Sequence, residues 1–212
     1  MVIAFSFLSL LNDDYKNAIK KFNSLDKDNW LHYDVMDGHF VSNCTFDQDL
    51  VKEINTYNHL FSDVHLMIEN PESVVKEYAK VQVDQLTFHY EAVSKDKIND
   101  IISLIKSQNI KVGMSVKPNT DICLLDEYLP YLDYILVMSV EPGKGGQKFM
   151  EKSLDHIKYL KNKQDDYHYL IGVDGGINLD TAKLVKQAGA DVIVVGTYLA
   201  NNLNIETINH LK

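Results

Sequence analysis

Eight short apolar runs, each long enough for one β-strand, recur along this chain with helix-patterned stretches between them. They lie at residues 2–7, 30–35, 63–67, 85–89, 111–116, 134–138, 169–173 and 192–195. The stretches at 15–23, 47–54, 71–80, 97–108, 122–129, 152–162 and 179–187, and a short tail after Ile205, carry apolar residues at helical spacing. Val74, Val75, Tyr78 and Val81, for example, repeat along one helical face. End signals agree with this pattern: Asn70 can cap a helix with Pro71 in its first position, and Asn178 can cap one that Gly189 ends. Strands apolar nearly throughout, alternating with helices, predict a parallel sheet buried on both sides. Eight such units in 212 residues predict one (β/α)8 barrel domain spanning 1–212, with an open doubly wound sheet as the second choice.

No Pro-, Gly- or Ser-rich linker divides the chain, and its charges are spread rather than blocked. The net charge is −9 and every one of the 21 basic residues is Lys. That disfavours a nucleic-acid binder, which would present a basic face and use Arg for bidentate contacts. Cys44 and Cys123 stand far apart, no signal peptide opens the chain, and no apolar run approaches the roughly 20 residues that span a bilayer. The expectation is a reduced cytoplasmic protein with no membrane segment.

A barrel of this kind carries its chemistry where strands end and β–α loops begin. Polar residues do gather there: Ser6 at the first strand, Asp34 and Asp37 at the second, His65 with Met67 at the third, and His89 and Glu91 at the fourth. Met138 and Glu141 follow the sixth, Asp174 the seventh, and Gly196 and Thr197 the eighth. Side chains two apart on a strand share a face, so His32 and Asp34 point one way while Leu31, Tyr33 and Val35 point the other.

His32, Asp34, His65 and Asp174 together offer two imidazole nitrogens and two carboxylate oxygens from three strands, a donor set suited to one divalent cation. Alone, His65 would be a core histidine; partners on two other strands make it a ligand candidate. Such mixed ligation fits Zn2+ or Fe2+, and equally Mn2+ or Co2+, and does not select among them. His39, after Gly38 in a loop, is expected beside the site or in the loop rather than on the metal. Gly143, Gly145 and Gly146, then Gly175 and Gly176, then Gly196, follow three adjacent strands. One such glycine pair is ordinary turn chemistry, but three glycine-bearing loops side by side point to a phosphate held by backbone amides, with Lys144 as a helper.

The stretches LHYDVMDGHFVSN, DVHLMIENPE, TFHYEA, VMSVEPGKGGQKF, VDGGIN and AGADVIVVGT, in this order from Ser6 to Thr197, resemble successive motifs of the ribulose-phosphate 3-epimerase family. The resemblance implies a phosphate-binding barrel of the ribulose-phosphate-binding type. It implies 3-epimerisation of a ketose phosphate, most simply D-ribulose 5-phosphate to D-xylulose 5-phosphate in the pentose phosphate pathway, by two-base proton transfer through a metal-stabilised ene-diolate. On that resemblance Asp34 and Asp174 are the acid/base pair and also metal ligands with His32 and His65. Ser6 and His65 then contact substrate, Gly143–Gly146, Gly175–Gly176, Gly196 and Thr197 hold it and its phosphate, and Met36, Met67 and Met138 line the intermediate. A homo-oligomer, dimer or hexamer, is implied as well.

The chain departs from the family pattern in places. Phe5 precedes Ser6 where the pattern has PSIL, Ser42 stands where Pro is usual, and Lys144 replaces an aromatic residue. Loss of that ring could loosen closure over the substrate, while a lysine could attract its phosphate. The alternatives are an allulose 6-phosphate 3-epimerase and a non-catalytic phosphosugar-binding protein. A barrel decarboxylase would want Lys soon after the strand-two Asp, where Val35 and Met36 stand instead.

Overall fold

The computed structural model describes residues 1–11 and 14–212. Eight parallel strands run β1 (Val2–Ser6), β2 (Trp30–Met36), β3 (Phe61–Met67), β4 (Gln85–His89), β5 (Lys111–Val116), β6 (Tyr134–Met138), β7 (Leu170–Asp174) and β8 (Val192–Val195). They close in sequence order, and β1 pairs with β8 from Val2↔Val192 to Phe5↔Val195. Around them lie α1 (Tyr15–Leu25), α2 (Gln48–Asn55), α3 (Val75–Lys80), α4 (Ile98–Ser107), α5 (Ser153–Lys163), α6 (Leu179–Ala188), α7 (Thr197–Asn201) and α8 (Ile205–Leu211).

Strand alternation sorts side chains into two cores. Leu31, Tyr33 and Val35 face outward with Phe5, Val64 and Leu86 into the layer beneath the helices. There Phe7 meets Phe46 edge-on at 5.2 Å and Tyr15 at 5.4 Å, fastening α1 and the start of α2 to the sheet. The interior is divided by strand. On the side of β6, β8 and β1 it is apolar, filled by Ala4, Tyr134, Leu136, Met138, Val192 and Val194. On the side of β2 to β4 it is a buried polar column of His32, Asp34, Asp63, His65, Gln85, Thr87 and His89. Trp30 packs against Phe61 at 4.4 Å and Tyr134 at 5.7 Å, with tilted rings, near the strands' amino ends. Gly172 makes room for that packing, since a Cβ there would lie 1.9 Å from the Tyr134 hydroxyl.

Several expected elements take a different form. The stretch 122–129 folds as two 3-10 turns, Ile122–Leu125 and Leu129–Tyr131, rather than a helix; Pro130 lacks the N–H an α-helix interior needs. The helix expected at 71–80 starts as a 3-10 turn, Pro71–Ser73, and becomes α3 only at Val75. Asn70 makes no side-chain cap bond, its ψ of 73° being away from cap geometry. Asn178 does cap α6, accepting from the amides of Asp180 and Thr181 while Thr181 returns a bond to the Asn178 N–H, and Gly189 ends that helix at φ +113°. Among the described residues no helix is long and apolar enough to cross a membrane.

Candidate active site

Parallel register decides which polar side chains meet. β2 and β3 align His32 with Asp63 and Asp34 with His65, and β6 sets Met138 beside Asp174 of β7. Asp34 Oδ1 lies 3.2 Å from His32 Nε2 and 3.4 Å from His65 Nδ1, and Ser6 donates to Asp34 Oδ2 at 2.8 Å. Asp174 Oδ2 is 3.9 Å from the same His65 nitrogen. One ligand atom from each of His32, Asp34, His65 and Asp174 falls within 4.8 Å of the others, so the four residues expected to share a cation are brought together. They fit one in chemistry too: the donors are nitrogen and oxygen, and each imidazole has its far nitrogen occupied by another partner.

Of those partners the sequence marks only His89, as a polar residue at a strand end with no role assigned. His32 Nδ1 lies 2.7 Å from Asp63 Oδ2, and the other Asp63 oxygen accepts from Gln85 Nε2 at 2.8 Å. His65 Nε2 lies 2.9 Å from His89 Nε2. Asp63 could have been found, because it sits two residues before His65 and shares its face. Its partner is set by strand register, which sequence spacing does not give.

Electrostatics separate the two carboxylates. Burial pushes Asp34 up, but the imidazoles of His32 and His65 outweigh it and hold Asp34 well below the usual carboxylate range. For Asp174 burial and then the Asp34 charge act together and raise it to about 6. Burial alone would lower His32, yet the Asp34 and Asp63 carboxylates lift it well above an ordinary imidazole. One carboxylate is therefore ionised and the other poised near neutrality.

Above the cluster opens a cavity lined by Ser6, Asp34, Met36, Met67, Met138, Asp174 and the residues of three glycine loops, with Lys144 and Thr197. All the residues expected to touch substrate line it except His65, which is fully buried in the cluster. Ser9, Gln147 and Tyr198 also line it and were not expected. Gln147 Nε2 donates to the carbonyls of Glu141 and Lys144, folding the 141–147 loop on itself. Gly176 has φ +64°, and a Cβ would sit 2.6 Å from the Phe149 amide nitrogen, so the chain turns there only without a side chain. Thr197 begins α7, a short helix the sequence pattern did not reveal.

The β2–α2 loop is shaped as anticipated. Asp37 accepts from the amides of His39, Phe40 and Glu69, and Gly38 takes φ +75°. His39 is exposed in that loop, and no hydrogen bond joins its ring to the four-residue cluster. Asn43 Nδ2 donates to the Gly143 carbonyl at 2.6 Å, tying this loop to the one that carries Lys144.

Comparison with known proteins agrees with this geometry. A ribulose-phosphate 3-epimerase of Bacillus subtilis is 38% identical over 194 residues, covering 89% of this chain and 88% of that protein. One of Candida glabrata is 43% identical over 184 residues, covering 79% and 73%. In fold, the chain is similar to a mutant tryptophan synthase alpha-subunit of Pyrococcus furiosus, with a TM-score of 0.68 at 14% identity over 99% of this chain and 94% of that one. The model of the "Ribulose-phosphate 3 epimerase family" matches residues 2–200, and with two acidic and two imidazole side chains converging at the carboxyl end of its barrel, the chain belongs to that family.

Proposed function

We propose that this protein epimerises a ketose phosphate at carbon 3, interconverting D-ribulose 5-phosphate and D-xylulose 5-phosphate. The observation that carries the reading is the meeting of Asp34 from β2 and Asp174 from β7 at the floor of one cavity. Inversion next to a ketone needs one base to take the proton, leaving a planar ene-diolate, and a second group to return a proton to the opposite face. Asp34 and Asp174 come from strands that β1 and β8 separate around the barrel, which suits them to these two duties, and they exchange duties in the reverse direction. Met36, Met67 and Met138 give the planar species an apolar, polarizable wall that keeps water away.

A divalent cation held by His32, Asp34, His65 and Asp174, whether Zn2+, Fe2+, Mn2+ or Co2+, among which the donor set does not select, would supply positive charge for the substrate oxygens when bound. The glycine loops at 143–146 and 175–176, with Gly196 and Thr197 at the start of α7, offer backbone amides for the phosphate, and Lys144 offers charge. A homo-oligomer in the cytoplasm belongs to the same proposal on family grounds; the free, exposed Cys44 and Cys123 suit a reducing compartment.

The test follows deuterium entry at carbon 3 of ribulose 5-phosphate after metal depletion and add-back, with allulose 6-phosphate in parallel. Metal-dependent exchange that favours the pentulose is expected. Preference for the hexulose would reassign the substrate, and tight phosphosugar binding with no exchange in metal-loaded protein would make this a binding protein.

A further inference from the structure

Resting on the metal reading above, we propose that Glu91, acting through His89, is a positioning residue that fixes the proton of His65 on Nε2 and so keeps His65 Nδ1 free to bind the cation. Neither residue lines the cavity. His89 is fully buried, with Nε2 2.9 Å from His65 Nε2 and Nδ1 3.3 Å from Glu91 Oε2. The other oxygen, Glu91 Oε1, accepts from the Lys117 amide at 2.8 Å and from the Thr120 hydroxyl.

The hydrogen-bond directions follow from these partners. A carboxylate can only accept, so His89 must present N–H to Glu91 at Nδ1. A neutral His89 then has a lone pair at Nε2, which can only accept, and His65 must supply the proton from its own Nε2. That leaves the lone pair of His65 at Nδ1, the atom 3.4 Å from Asp34 Oδ1 and 3.9 Å from Asp174 Oδ2. With His89 neutral and Glu91 ionised, reversing either the Glu91–His89 or the His89–His65 bond sets two N–H groups, or two lone pairs, against each other in a buried space. The far end is anchored outside the barrel interior: Phe40 packs on the His89 ring at 4.7 Å and Lys117 Nζ lies 4.1 Å from the Phe40 ring centre. The relay therefore also rests on the β2–α2 and β5 loops.

Glu91→Gln tests it. Gln has one acceptor oxygen for contacts that use two, so either the Lys117 amide loses its partner or an NH2 faces His89 Nδ1 and reverses the chain. Divalent-cation affinity, read by chelator competition with Zn2+, is expected to fall about ten- to a hundredfold. Nitrogen-15 spectra of histidine-labelled protein should show His89 protonated at Nδ1 in the wild type and shifted toward Nε2 in the variant. Wild-type His89 protonated at Nε2 overturns the proposal without any variant, so it stays testable if Glu91→Gln misfolds. Affinity within roughly twofold of wild type in folded Glu91→Gln also overturns it. Wild-type protein that binds no Zn2+ at all would instead refute the metal reading on which the relay rests, and the relay with it.

Discussion

Asp34 and His65 stand directly opposite on neighbouring strands, with Asp34 Oδ1 3.4 Å from His65 Nδ1, while Ser6 occupies the second Asp34 oxygen. Asp34 is thus held in one orientation by three neighbours, counting His32. Asp34→Asn and Asp174→Asn keep the shape of the side chain and remove its basicity. Each is expected to lower exchange of the carbon 3 proton with solvent by about a hundredfold or more, because each removes one of two proton-transfer groups. Isotope exchange measured on the folded variants checks this, and full activity in either one would refute the two-base mechanism.

Asp63→Asn addresses the other imidazole. Asp63 is fully buried, 2.7 Å from His32 Nδ1, and held from behind by Gln85. An amide can turn its NH2 toward His32 and force the imidazole proton onto Nε2, the nitrogen that faces Asp34. Cation affinity should fall about ten- to a hundredfold, with the circular dichroism unchanged. Titration of metal-depleted protein with Zn2+ measures it; unchanged affinity would mean that His32 needs no fixed tautomer.

What could be read from the sequence, and what could not, divides along physical lines. Parallel strands buried on both sides leave apolar runs of fixed length, so the bounds of β4, β5, β6 and β8 follow from composition alone. His32, Asp34, His65 and Asp174 were legible because barrel strands all deliver their last residues to one end. The Asp63–His32 and His89–His65 contacts were not, because they depend on register between strands and on ring orientation. α7 is five residues long and follows Gly196, too short to carry a helical period. The turns at Ile122–Leu125 and Leu129–Tyr131 kept the apolar spacing of a helix without its hydrogen bonding, which spacing cannot distinguish.

Metal-free protein should lose stability in acid in a defined window. Burial pushes Glu91 up, but His89, the Thr120 hydroxyl and the Lys117 amide lower it overall from 4.5 to about 2. A depressed carboxylate contributes fully above its unfolded value and loses that contribution as pH falls through the folded one, here between about pH 4.5 and 2. His89 is lowered by burial from 6.5 to about 4, so the unfolded chain takes up its proton first and stability falls from about pH 6.5 to 4. Asp174, raised from 3.8 to about 6, acts with the opposite sign and offsets His89 between about pH 6 and 4, so urea midpoints of metal-free wild type should fall chiefly below pH 4.5, and Glu91→Gln should flatten that part. Parallel profiles for the two proteins would show that Glu91 is not the group responsible.

Lys144 is the one cation on the cavity wall among the described residues, and it shares that wall with Asp34 and Asp174. With the proposed divalent cation balancing the two carboxylates, Lys144 adds the one further positive charge that a phosphate dianion meets on the cavity wall. Because the side chain is exposed, its effect must be screened by salt. Lys144→Gln is therefore expected to raise KM about two- to fivefold at low ionic strength, with kcat nearly unchanged, and the gap should close as salt is added. The carbonyl of Lys144 that holds Gln147 is backbone and survives the substitution, so the loop keeps its shape. A fall in kcat with constant KM would place Lys144 in the chemical step or in loop closure instead of in attraction of the phosphate. A KM difference that persists at high salt would point to a direct contact rather than a field.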